Sequence, residues 1–183
     1  LALAAVAAGL AAGGEVDISP GLPGWVHSID PMYTHRVEYE ARFGGLKLPQ
    51  GGRRYGAIKK IPRVDPKTEK KIVIQFQFHQ TVMSCSGGYL KFMSDDGLPD
   101  DLVEFNGETQ YSFMFGPDKC GAKDRVQFIM TLYNTRTKQH VQHEIVQNIP
   151  TSKVEEALYT VVVDLEKERV AIGVNGDIPG YVS

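Results

Sequence analysis

The chain has 183 residues, 22 acidic against 20 basic side chains, and a 42% share of hydrophobic residues. That length suits one domain with a sizeable core. The near balance of charge offers no basic face for nucleic acid, and the apolar share is ordinary for a soluble protein.

Residues 1–14 are an unbroken run of small and apolar side chains. The run is shorter than the roughly 20 residues a helix needs to cross a bilayer. It reads as the apolar core and cleavage region of a secretory signal whose basic start is missing. Together with the ending at Gly180-Tyr181-Val182-Ser183, this makes the chain read as a fragment, with 15–183 as its folded part. A secretory route permits disulfides.

Pro20, Pro23 and Pro31 argue against a long helix in the next stretch. Residues 36–48 hold two short strand candidates broken at Gly44-Gly45, and His27 and His35 read as solvated surface histidines. Gly51-Gly52 makes a turn before a strand at 54–60, and 62–69 is a polar turn around Pro66. Residues 71–78 form the clearest strand. Ile72, Ile74, Phe76 and Phe78 alternate with Val73, Gln75 and Gln77, as in a sheet with its core on one side. Full burial of those four side chains contributes roughly 6–12 kcal/mol before entropy costs.

Residues 94–108 carry Asp95, Asp96, Asp100, Asp101 and Glu104 without the spacing of an EF-hand loop, and read as a solvated loop. Residues 125–133 alternate again, with Val126, Phe128, Met130 and Leu132 on one side. A turn at 134–137 leads to a returning strand through Val141, His143 and Ile145. His140 and His143 invite a zinc reading, but residues three apart on a strand face opposite ways. Residues 158–165 and 169–174 make a further hairpin around 166–168, and Asn175-Gly176 signals a tight turn. Many short strands with polar turns read as an all-β antiparallel sandwich.

Two blocks stand apart. The first is Cys85-Ser86-Gly87-Gly88-Tyr89-Leu90-Lys91. The second is Tyr111-Ser112-Phe113-Met114-Phe115-Gly116-Pro117-Asp118-Lys119-Cys120-Gly121. They hold the only two cysteines of the chain, and the simplest pairing is one disulfide, Cys85–Cys120. Such a bond closes a loop of about 36 residues, worth roughly 3–4 kcal/mol in the chain-entropy model. Cys-x-Gly-Gly lacks the second cysteine of a redox motif. The residue types suit sugar. Tyr89 and Tyr111 offer apolar ring faces with a hydroxyl at the rim, Lys91 donates and Asp118 accepts. The plainer alternative makes Tyr89 and Tyr111 half-buried strand aromatics and Lys91 a solvated charge.

In order and spacing these blocks resemble the calreticulin/calnexin family, whose pattern reads Cys-Gly-Gly-Gly-Tyr-Val-Lys and then Tyr-x-Ile-Met-Phe-Gly-Pro-Asp-x-Cys-Gly. The first block departs from it at Ser86, where the family has glycine. The resemblance runs from about Tyr55 to Asn175. It implies a concanavalin A-like (legume-lectin-like) antiparallel β-sandwich, here incomplete at the C-terminal end. It further implies a calcium-associated lectin chaperone of the endoplasmic reticulum lumen that binds monoglucosylated N-glycans on unfolded glycoproteins. Folding co-chaperones are implied only where a proline-rich arm exists. By motif position it implies glycan contacts from Tyr89, Lys91, Tyr111, Met114 and Asp118, beside a Cys85–Cys120 disulfide. The resemblance implies Ca2+, but no ligands for it are identifiable. Tyr111 and Met114 are three apart, so both line one site only if the strand ends or bulges near Phe113.

Two rivals remain. A sandwich without sugar binding could hold polypeptide on exposed apolar surface, with Phe113, Met114 and Phe115 as candidates. A glycoside hydrolase on such a sandwich needs paired carboxylates about 5–10 Å apart. Asp118 is the well-placed one and Glu108 a weak second. No catalytic set stands out, so the chain is expected to bind rather than catalyse.

Overall fold

A computed structural model describes residues 23–42, 44–62, 64–65, 67–79, 85–147 and 156–182. The expected signal remnant at 1–14, Pro66, and the side chains of Cys85 and Ser86 lie outside the described residues. The strands in chain order are β1 (Trp25–His27), β2 (Glu38–Glu40), β3 (Gly45–Lys47), β4 (Ala57–Lys59), β5 (Lys71–His79), β6 (Cys85–Gly87) and β7 (Leu90–Phe92). They continue as β8 (Phe113–Cys120), β9 (Lys123–Asn134), β10 (Gln139–Gln147), β11 (Glu156–Asp164), β12 (Arg169–Val174) and β13 (Tyr181–Val182). The chain divides into two compact units, one from residues up to 63 together with 86–114, the other from 64–85 together with 115–183.

In the first unit, β1 pairs antiparallel with β4, Val26 opposite Ile58. β2 pairs with β3, Tyr39 opposite Leu46, so both short strands expected around Gly44 form. The strand expected at 54–60 shrinks to Ala57–Lys59. Tyr55 makes only an isolated bridge to His35. At Gly56 a Cβ would stand 2.9 Å from the Tyr33 ring, so that ring lies against bare backbone. One core cluster gathers Val26, Tyr33, Ile58, Met93 and Phe105, with Leu98, Leu102, Val103 and Tyr111 packed on it. A second gathers Val37, Tyr55 and Ala57 with Trp25, Leu46 and Leu48.

Two sequence expectations are corrected here. Residues 94–108 are more than a solvated loop: they form two 3₁₀ turns, Asp95–Gly97 and Leu102–Glu104, and Phe105 just beyond is fully buried. Asp101 caps the second turn by accepting from the Val103 amide at 3.1 Å, which satisfies a donor that the turn itself leaves open. The Ser28 hydroxyl donates to the Phe105 carbonyl, and the Ile29 amide to the Val103 carbonyl at 2.8 Å. His27 is likewise not a solvated histidine. Both its ring nitrogens are buried, and burial, reinforced by the charge of Arg36, pulls its pKa below the usual value.

In the second unit, β5 pairs with β11 over nine residues, from Lys71 opposite Asp164 to His79 opposite Glu156. β12 and β13 continue that sheet in the order β13-β12-β11-β5. Ile74, Tyr159, Val161, Val163, Val170 and Ile172 form its buried side. Phe76 stacks on Tyr159 at 5.5 Å and meets Phe115 edge-on at 5.6 Å. Burial in this packing, with the charge of Asp124, pushes the Tyr159 hydroxyl up to about 12. The β9–β10 hairpin pairs from Asn134–Gln139 at its turn to Val126–Gln147 at its base. On β9, Val126 and Phe128 are fully buried as expected, but Gln127 between them is buried as well, so burial there does not alternate. It fades toward the turn, where Leu132 is 45% and Tyr133 52% exposed. The tight turn at Asn175-Gly176 has φ of 54° and 84°, the left-handed pair that matches hairpin twist.

The β11–β12 turn is pinned by Asp164. This carboxylate is buried, accepting from the Lys167 amide at 3.1 Å and from Arg169 Nε at 3.2 Å. Burial opposes its charge, yet those two donors and Lys71 hold its carboxyl below the usual carboxylate range.

Candidate functional site

The motif residues are positioned by three short pieces of chain. β6 and β7 both hydrogen-bond to β8. Within the first unit, Tyr89 comes immediately before β7 and Lys91 is its middle residue. Tyr89 is 5% and Lys91 6% exposed, so both side chains are buried. An ammonium in that position costs desolvation energy. Burial lowers the Lys91 pKa, and the negative charge of Glu108 opposes the shift. Lys91 makes no ion pair among the described residues. Its Nζ instead lies 4.9 Å from the centroid of the Tyr111 ring, where the ring quadrupole attracts a cation. The plainer sequence alternative, a solvated Lys91, is therefore corrected.

Tyr111 itself packs against the core cluster of Val26, Met93 and Phe105. It stands outside β8, which begins at Phe113 after a bend at Ser112. The strand thus starts at the residue where the spacing of Tyr111 and Met114 required an interruption. Two contacts secure the entry to β8. The Ser112 amide donates to the Phe92 carbonyl at 2.7 Å, and the Phe92 and Phe113 rings stack at 4.7 Å. Met114 is 8% exposed and Phe115 fully buried. They are core side chains; the exposed large apolar groups lie elsewhere, among them Leu132, Tyr133, Val141 and Val146 of the β9–β10 hairpin and, outside it, Ile29 and Val73.

Asp118 belongs to the second unit. Its Oδ2 accepts from Arg125 Nε at 3.3 Å. Arg125 Nη2 donates to Gln127 Oε1 at 3.0 Å and forms an ion pair with Glu144 Oε1 at 3.2 Å. The pattern follows from local structure. A two-residue turn at 121–122 joins β8 to β9, so residues 118 and 125 are equally far from it and face each other. Gln127 is two residues further along β9 and shares the face of Arg125. Glu144 lies opposite Ile129 in the β9–β10 register, on that same face. Sequence reasoning passed over Arg125 because it lies outside both blocks. The symmetric placing of Asp118 and Arg125 about Gly121-Ala122 was the available signal. Glu108 falls in the first unit and Asp118 in the second, and each carboxylate has a cation of its own unit to act on. Cys120 is disulfide-bonded.

Among the described residues, no group of three or more His, Cys, Asp or Glu side chains could hold a metal ion. His140 and His143 sit opposite Tyr133 and Met130 respectively, on opposite faces of β10. No helix among the described residues is long and apolar enough to cross a membrane.

The profile of the calreticulin family matches residues 32–180. The chain belongs to the calreticulin family. A calnexin homolog of Helianthus tuberosus is 30% identical over 155 residues, covering 81% of this chain and 28% of the relative. A calreticulin of Schistosoma mansoni is 36% identical over 123 residues, covering 66% of this chain and 29% of the relative. This calreticulin-family chain thus spans under a third of the length of these curated relatives. Among solved structures it is similar to the T. cruzi calreticulin globular domain, with a TM-score of 0.67 and 27% identity over 87% of this chain and 60% of that one. The fold is accordingly all-β and of the legume-lectin-like sandwich class.

Proposed function

We propose that this chain is the glycan-binding part of a lectin chaperone of the endoplasmic reticulum lumen, taking monoglucosylated N-glycans on unfolded glycoproteins. What carries the reading is the family match over residues 32–180, which takes in both cysteine-bounded blocks. Tyr89, Lys91, Tyr111, Met114 and Asp118 are the proposed contacts, with Cys85–Cys120 as the disulfide that ties the blocks together. The Lys91–Tyr111 pair supports this reading. A buried ammonium without a carboxylate partner is costly to keep in a fold, and a hydroxylated ligand supplies acceptors to it. Calcium is proposed as an associated ion on family grounds alone, since the described donor set offers no cluster for it. Folding co-chaperones enter the proposal only with a proline-rich arm.

Calorimetric titration with monoglucosylated oligomannose, against the unglucosylated glycan, tests the reading. Selective binding is expected. A folded chain that binds neither would favour the second reading, a polypeptide-binding chaperone. That alternative has an observation of its own in the exposed Leu132, Tyr133, Val141 and Val146 of the β9–β10 hairpin.

A further inference from the structure

We propose that Arg125 is a specificity-determining residue of the glycan site, reading a pair of neighbouring sugar hydroxyls jointly with Asp118. The inference rests on the reading of Asp118 as a glycan contact and adds a residue from outside the motif blocks.

Arg125 is held on three sides, by Asp118 Oδ2 at 3.3 Å, Gln127 Oε1 at 3.0 Å and Glu144 Oε1 at 3.2 Å. Those contacts engage Nε and Nη2 and leave Nη1 aside. A guanidinium carries five N–H donors, so the two on Nη1 remain, with no partner among the described residues. Asp118 likewise spends Oδ2 on the arginine, and its Oδ1 has no partner among them. Both side chains are reachable, with 25% of the Arg125 and 16% of the Asp118 side chain exposed. The pair therefore presents one open acceptor oxygen and one open donor nitrogen from a fixed frame.

That combination matches a vicinal diol. Each sugar hydroxyl both donates and accepts. One can donate to Asp118 Oδ1 while its neighbour accepts from Arg125 Nη1. Both bonds are charge-assisted, hence stronger than neutral ones. Three existing contacts already fix the guanidinium, so binding immobilises little that was free. A lysine could not do the same, because a single rotatable ammonium has no fork to hold two acceptors and still aim a donor outward.

The test is a cycle of protein and ligand changes, read by calorimetry on the full chain with monoglucosylated oligomannose and its single-deoxy analogues. Arg125→Met is expected to weaken binding about 10- to 100-fold, the range for a lost hydrogen bond to a charged group. For one hydroxyl of a neighbouring pair, the deoxy sugar should bind the parent and the variant alike, because the same bond is lost either way. For all other hydroxyls the two losses should add. Where Arg125→Met fails to fold, Arg125→Lys carries the same test and the same expectation. Two results overturn the inference while leaving the glycan reading intact. One is binding by the variant as tight as by the parent. The other is additive losses at every hydroxyl, which would make Arg125 a mere support for Asp118. If the folded parent binds no oligosaccharide at all, the glycan reading itself fails and takes this inference with it.

Discussion

Lys91, inside the first cysteine block, and Arg125, just beyond the second, are cations that the fold handles in opposite ways. Lys91 is buried, leans on the Tyr111 ring at 4.9 Å and has no ion pair among the described residues. Arg125 keeps a quarter of its side chain exposed and is wedged between two carboxylates and an amide oxygen. The difference follows from the side chains. A guanidinium is planar and weakly hydrated, with donors enough to satisfy several acceptors at once. An ammonium is compact and strongly hydrated, so burying it costs more than one aromatic face, worth about 2 kcal/mol when desolvated, fully offsets. The first cation lacks an ionic partner among the described residues, and the second is fixed by three contacts with only its Nη1 donors left open.

Removing the aromatic face should break the contrast most severely. Tyr111→Ala takes away both the cation's ring and a half-buried core side chain, and should destabilise the chain by about 2–3 kcal/mol while abolishing glycan binding. Thermal unfolding together with calorimetry reads both effects, and parent-like behaviour in either would show that Tyr111 does not hold Lys91. The next test sets the two cations against each other. Arg125→Met strands Asp118, Glu144 and the buried Gln127 oxygen, and should cost about 2 kcal/mol. Lys91→Met removes a buried charge at similar volume, and should stabilise the chain by roughly 1 kcal/mol although it loses the glycan. Denaturant-midpoint shifts of equal sign for the two variants would show that the fold does not treat the two cations differently.

A subtler signature lies in alkaline solution. Burial depresses the Lys91 pKa below its ordinary 10.5. Between the depressed and the ordinary value, the unfolded chain keeps a proton that the folded chain has lost, so this group makes stability rise with pH. Tyr33 and Tyr159, both raised by burial, act in the reverse sense, since the unfolded chain ionises first and stability falls above about pH 10. The Lys91 part is therefore read as the difference between the parent and Lys91→Met. That difference should shrink as pH climbs, and a flat one would place Lys91 in water. The smallest effect is expected from Glu108→Gln. Glu108 opposes the depression of Lys91, so its removal should move the alkaline window further down in pH, in the same difference measurement.

Much of this was legible in the amino-acid order. Period-two alternation marked β5 and the start of β9, Asn175-Gly176 marked a left-handed turn, and the two cysteine blocks led to the family. These are local signals, because strand period and turn conformation are set by neighbours along the chain. Residues 94–108 show where such signals stop. Its many acidic side chains made the stretch look solvated, whereas Phe105 buries completely against Val26, Tyr33 and Ile58. No spacing rule connects those positions.

The sequence by itself determined the all-β class, the hairpins and the residue types available for a sugar. It could not determine their electrostatic state. Whether Lys91 stands in water or against a ring, and whether Asp118 is open or half-occupied by Arg125, depends on what other strands bring within about 4–5 Å, the distance at which a charge feels its surroundings most strongly. Burial of Lys91 comes from residues remote in the chain, and the Asp118–Arg125 pair, though only seven residues apart, closes only where β8 and β9 pair, so the tertiary structure decided both.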